Sequence, residues 1–109
     1  MVLFDKFAGT DINKEVEKFR KISGAILIDV RSEEDYKKGH IPGSVNMPES
    51  NLEVFESFDV AHNTPIFVYC LSGAKSWNVV NKLKALGFTK VNNIGGINKY
   101  TGDIESSLN

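Results

Sequence analysis

Ile66-Phe67-Val68-Tyr69-Cys70-Leu71-Ser72-Gly73-Ala74-Lys75-Ser76 is the stretch on which the reading of this chain turns. Four apolar residues, each β-branched or aromatic, read as a buried strand over residues 66–69. Small residues at 72–74 then allow a tight turn into a helix. Cys70, the only cysteine of 109 residues, stands where the strand should end. A thiol there faces the N–H groups of a curled loop and the positive end of a helix dipole, and both favour a thiolate. A buried structural cysteine is the competing reading, but such a residue belongs within an apolar run rather than after it.

Working outward, strands alternate with helices. A helix is expected over residues 11–22, with Asp11 as N-cap, Ile12, Val16 and Phe19 on one face, and Gly24 as the stop. Residues 25–30 read as a strand buried on both faces. Ser32-Glu33-Glu34-Asp35 opens a short helix ending near Gly39, and Ile41-Pro42-Gly43-Ser44 is a turn before a brief extended piece, Val45-Asn46-Met47. A short helix lies within residues 52–58, with Leu52, Phe55 and Phe58 on one face. The longest helical pattern covers residues 74–86, with Val79, Leu83 and Leu86 as its stripe and Gly87 as C′. Residues 90–94 form a weaker strand that Gly95-Gly96 breaks before a terminal turn. The alternation specifies a single α/β domain, residues 1–109, around a mostly parallel sheet.

Composition narrows the function. Hydrophobic residues make up 41% and charged residues 25%, and 13 basic against 14 acidic side chains leave a net charge of −1. Nothing in that balance supports nucleic-acid or membrane binding. One cysteine makes no internal disulfide, and Cys70, His40 and His62 lack the spacing of a metal site. Met1-Val2-Leu3-Phe4-Asp5-Lys6 is too short and too charged for a leader, so a cytoplasmic protein, without cofactor and monomeric, is expected.

Other candidates surround the cysteine. Lys75 reads either as a cation for an anionic substrate or as a surface lysine. Ser76, or Ser72, offers a hydroxyl donor or an N-cap. Asp29 and Arg31 flank Val30 and are read as an ion pair fixing the loop that follows the strand. His40 could be a general base but is read as tying down its turn, and His62 lies in a polar loop without a partner in view. Gly95 and Gly96 provide close backbone approach or positive φ near the site.

Together these pieces resemble the rhodanese-like domain. The resemblance rests on Ile28-Asp29-Val30-Arg31, Glu34-Asp35-Tyr36, Gly39-His40-Ile41-Pro42-Gly43-Ser44, the Cys70 loop, and Gly95-Gly96 before Tyr100. It implies a central, mostly parallel five-stranded sheet flanked by helices on both faces. It also implies a sulfurtransferase: Cys70 would take a sulfane sulfur from a donor such as thiosulfate or a persulfide. Held as a cysteine persulfide, that sulfur would pass to cyanide or a thiol, or to a partner protein carrying sulfur. Leu71, Ser72, Gly73, Ala74, Lys75 and Ser76 would form the substrate-binding loop.

The loop departs from the family pattern, commonly Cys-Arg-x-Gly-x-Arg followed by Ser or Thr. Leu71 replaces the first arginine and Lys75 the second, keeping charge but losing the two-pronged fork suited to an oxyanion. A persulfide is therefore expected to be a better donor than thiosulfate. A phosphatase-type loop, Cys-x5-Arg, does not fit, because its arginine position is Ser76. A catalytically weak binding or redox-sensing module is the remaining alternative. No second thiol exists to resolve a persulfide internally, so Cys70 is expected at the surface.

Overall fold

The computed structural model describes residues 10–107. The stretch Met1-Val2-Leu3-Phe4-Asp5-Lys6 lies outside them. The elements are α1 (Ile12–Lys21), β1 (Ile26–Asp29), α2 (Glu33–Lys38), β2 (Ser44–Asn46) and α3 (Leu52–Glu56). They continue with β3 (Ile66–Cys70), α4 (Ala74–Ala85) and β4 (Val91–Gly96). Short 3-10 turns at Glu49–Asn51 and Ile97–Lys99 follow β2 and β4.

The four strands form one parallel sheet in the order β2-β1-β3-β4. The expected fifth strand has no counterpart among the described residues. Crossovers between parallel neighbours need helices, and alternate residues of each strand feed opposite faces. Ile66, Val68 and Cys70 of β3 join Leu52, Phe55, Val79, Val80 and Leu83 in one core layer. Phe67 and Tyr69 point the other way, into a layer with Ile12, Val16, Ile41 and Ile94. β3 is buried at all five positions, which is why its sequence reads as a continuous apolar run rather than an alternation.

Local signals set the boundaries. The Asp11 side chain accepts the Asn13 N–H at 3.0 Å and starts α1, which ends at Lys21, three residues before Gly24 at φ +82°. The Ser32 hydroxyl accepts the Asp35 N–H at 3.1 Å and caps α2. α4 stops at Ala85, with Leu86 as C-cap and Gly87 at φ +104°.

Three expectations are corrected. Phe58 lies beyond α3 and is 52% exposed; the helix unwinds at Ser57, so only Leu52 and Phe55 reach the core. Gly95-Gly96 does not break β4. A bulge absorbs the glycine conformation, so that Val68 pairs with Asn93 and Tyr69 with Gly95, and the strand runs on to Gly96. Finally, β3 extends one residue further than read, through Cys70, which pairs with Gly96.

Candidate active site

The site lies at the carboxyl ends of β1, β3 and β4, the usual place for a binding crevice in a parallel sheet. Its centre is Cys70, the last residue of β3. The chain leaves the strand, turns at Gly73 (φ +103°, ψ −10°) and enters the twelve-residue helix α4. A side chain at Gly73 would face both that left-handed backbone and the Gly95 Cα, 3.3 Å from an added Cβ. Gly73 also occupies the N-cap position, where it makes no side-chain cap, so neither Ser72 nor Ser76 caps this helix.

The turn folds the loop back over the sulfur. The Gly73 N–H donates to Cys70 Sγ at 2.9 Å and the Ser76 N–H at 3.4 Å, and the Ser76 hydroxyl lies 3.4 Å away. Burial pushes the Cys70 thiol up. The Ser76 hydroxyl and the amides of Ser76, Gly73 and Ser72 more than offset this, so the thiol lies below its ordinary range. Donors at the N-terminus of α4 thus favour sulfur as an anion.

Cys70 is only 1% exposed, which overturns the expectation of an accessible thiol. The physical reason is the same geometry: amides that point at Sγ must lie over it. The exposed surface above is formed by Leu71 (60%), Ser72, Ala74, Lys75 and Trp77 (43%). Lys75 sits in the first turn of α4 and faces solvent.

Gly95 and Gly96 form the floor of the loop. Gly95 takes the positive φ, +105°, and Gly96 the close approach. A Cβ at Gly96 would fall 2.2 Å from the Leu71 carbonyl oxygen and 2.5 Å from Ser72 Cα. No side chain fits there.

One residue escaped the sequence reading. Asn93, on β4, reaches across to the loop. Its Oδ1 accepts from the Ser76 hydroxyl at 2.7 Å and from the Gly95 N–H at 2.9 Å. Its Nδ2 donates to the Gly73 carbonyl at 2.9 Å. An asparagine in a weak strand carries no signal of contacts 17 and 20 residues away.

The remaining candidates lie beside the cysteine loop rather than on Sγ. Asp29 is fully buried; its carboxylate accepts the Arg31 backbone N–H at 2.9 Å, Nε at 3.1 Å and Nη2 at 2.8 Å. Arg31 Nη2 also donates to the Gly39 carbonyl at 2.6 Å, linking β1 to the end of α2. Burial pulls the Arg31 guanidinium down, but the Asp29 carboxylate outweighs it and holds the group above its ordinary range. His40 is stacked on Tyr36, its Nδ1 2.7 Å from the Tyr36 carbonyl and its Nε2 3.3 Å from a Glu105 carboxylate oxygen. Its ring contacts hold the turn and the C-terminal segment rather than the thiol. Tyr69 secures the same turn, accepting the Ile41 N–H at 3.1 Å; burial keeps its phenol protonated well above the usual range. His62 has a partner after all: its ring packs edge-on against Phe88 with centroids 4.9 Å apart, beside Gly87.

A parallel α/β sheet with a cysteine-headed strand-to-helix loop defines the class of rhodanese folds and their relatives. The chain belongs to the Rhodanese-like domain family, whose profile matches residues 13–103. It is 33% identical over 99 residues to the adenylyltransferase and sulfurtransferase uba4 of Ogataea parapolymorpha, covering 90% of this chain and 25% of that protein. It is 36% identical over 80 residues to the putative sulfur carrier protein YrkF of Bacillus subtilis, covering 72% of this chain and 43% of that one. The chain thus spans a quarter to under half of these relatives. Among solved structures, a rhodanese with anions from E. coli superposes with a TM-score of 0.69 at 29% identity, covering 75% of this chain and 98% of that one. The Alr3790 protein of Anabaena sp. does so with a TM-score of 0.75 at 28% identity, covering 84% and 88%.

Proposed function

We propose that this protein is a sulfurtransferase that carries a sulfane sulfur on Cys70. The observation that carries the reading is the set of donors converging on Cys70 Sγ: Gly73 N–H at 2.9 Å, Ser76 N–H at 3.4 Å and the Ser76 hydroxyl at 3.4 Å. Donors so placed hold a sulfur anion, the species that attacks and the species that remains after attack. Relatives bearing the names sulfurtransferase and sulfur carrier support the same reading.

In the first half-reaction the Cys70 thiolate attacks the outer sulfur of a donor persulfide, R–S–S⁻. The Sγ–S bond forms, the donor S–S bond breaks, and R–S⁻ leaves with the electron pair. The product is Cys70–S–S⁻. In the second, an acceptor thiolate attacks the terminal sulfur, the Sγ–S bond breaks, and the Cys70 thiolate is regenerated. No oxidant or reductant is consumed.

The preferred donor is a persulfide, on a small thiol or on a protein. Thiosulfate presents a sulfonate that a bidentate arginine holds well, and this loop offers Leu71 and Lys75 at the arginine positions. Because Sγ is covered, each half-reaction requires the loop to move off it. Mass spectrometry after incubation with a small-molecule persulfide tests the proposal. One added sulfur atom on the Cys70 peptide, absent from Cys70→Ser, is expected; an unmodified thiol would mark a binding module instead.

A further inference from the structure

We propose that Asn93 is a positioning residue for the Cys70 nucleophile, acting through Ser76 and Gly73. The inference deepens the sulfur-transfer reading, yet it concerns the protonation of the thiol and can be measured without any transfer.

The Ser76 hydroxyl has one proton and three acceptors within reach: Asn93 Oδ1 at 2.7 Å, the Gly73 carbonyl at 3.1 Å and Cys70 Sγ at 3.4 Å. While Cys70 is a thiol, the proton belongs on Asn93, the shortest contact, and a Ser76 lone pair is left for the Cys70 S–H. When the sulfur becomes an anion, the hydroxyl must turn and donate to Sγ. In most buried sites that turn would orphan an acceptor, at a cost that opposes ionisation.

Here it orphans none. Asn93 Oδ1 keeps the Gly95 N–H at 2.9 Å, and the Gly73 carbonyl keeps Asn93 Nδ2 at 2.9 Å and the Trp77 N–H at 3.3 Å. The carboxamide cannot be reversed, because its nitrogen would then meet the Gly95 N–H and its oxygen the Gly73 carbonyl. Asn93 therefore does two things from one fixed orientation. It competes with Sγ for the Ser76 proton, which favours the thiol, and it pins Gly73, which favours the thiolate; with the Gly73 N–H at 2.9 Å from Sγ against 3.4 Å for the Ser76 hydroxyl, the pin sets the sign.

The test is the pH dependence of iodoacetamide alkylation at Cys70 in the full chain, followed by mass spectrometry. Asn93→Ala should raise the alkylation midpoint by about one pH unit, the worth of one charge-assisted hydrogen bond. Ser76→Ala should raise it similarly, and the double variant should depart from the sum, since both act through one network. Should Asn93→Ala fail to fold, Asn93→Leu replaces it: it nearly preserves shape, adds no charge beside the sulfur, loses the donor to Gly73, and should also raise the midpoint. A midpoint at the wild-type value in a folded Asn93 variant, or full additivity in the double variant, would overturn the proposal. Ser44→Ala, a buried hydroxyl in the distant turn, should cost stability without moving the midpoint. Absence of sulfur uptake with the midpoint shifts intact would refute sulfur transfer while leaving the role of Asn93 standing.

Discussion

Cys70 combines two properties that usually exclude one another: it packs in the core beside Val68 and Val79, and its thiol lies below the ordinary range. Apolar burial alone would raise it. The resolution is local, since one side of the sulfur meets aliphatic groups and the other meets the loop amides. A stability consequence follows. A thiol lowered in the folded state favours folding above the unfolded thiol value, near 8.5, and that contribution disappears as pH falls through the lower folded value. The difference in thermal midpoint between the wild type and Cys70→Ser should therefore grow as pH rises toward that value and then level off. A difference independent of pH would contradict the assigned direction. At the same scale, Leu71→Arg combined with Lys75→Arg should raise kcat/KM for thiosulfate roughly tenfold, by restoring bidentate contacts to its oxyanion. Efficient thiosulfate turnover in the wild type would remove the reason for preferring a persulfide.

At the scale of elements, the site depends on one strand end lying on another. Gly96→Ala would drive a methyl into the Leu71 carbonyl and Ser72 Cα, both backbone, so the loop must lift. A loss of about 1–3 kcal/mol in urea unfolding is expected, together with faster alkylation of the uncovered thiol. Slower or unchanged alkylation would show that the loop does not cover Sγ through this contact. The Asp29–Arg31 pair supports the neighbouring strand end; Asp29→Ala should cost on the order of 3 kcal/mol, because the arginine would be left largely buried without its partner. These elements were unequally legible. Ile66-Phe67-Val68-Tyr69 announced β3 because double-sided burial leaves a continuous apolar run, and Ser32 and Asp11 announced helix starts through side-chain chemistry that acts within three residues. Gly95-Gly96 read as a break because glycine ordinarily weakens a strand; only the overlying loop, 24 or more residues earlier in the chain, explains why the strand needs it. Asn93 was invisible for the same reason: its partners are set by sheet register, not by neighbours in sequence.

For the molecule as a whole, the parallel sheet places β1, β3 and β4 ends side by side and lets two independent core layers carry the stability. The Cys70 loop rests on one layer, through Val79, Val80 and Leu83 of α4, while the His40 turn rests on the other, through Ile41 and Tyr69. Leu83→Ala should therefore destabilise by about 2–5 kcal/mol and, in the folded fraction, leave the Cys70 alkylation midpoint where it was. The covered thiol adds a kinetic signature of the whole assembly: a bulky aromatic disulfide should react with Cys70 far more slowly than iodoacetamide, with the gap closing in urea. Equal rates for the two reagents in the native protein would contradict a covered sulfur.

Sulfur loading of Cys70 tests the central claim most directly. The wild-type protein, treated with a small-molecule persulfide and digested, should yield a Cys70 peptide heavier by one sulfur atom. That mass should vanish when an acceptor thiol is added, and should never appear in Cys70→Ser. A Cys70 peptide of unchanged mass, from folded protein in excess donor, would contradict the account.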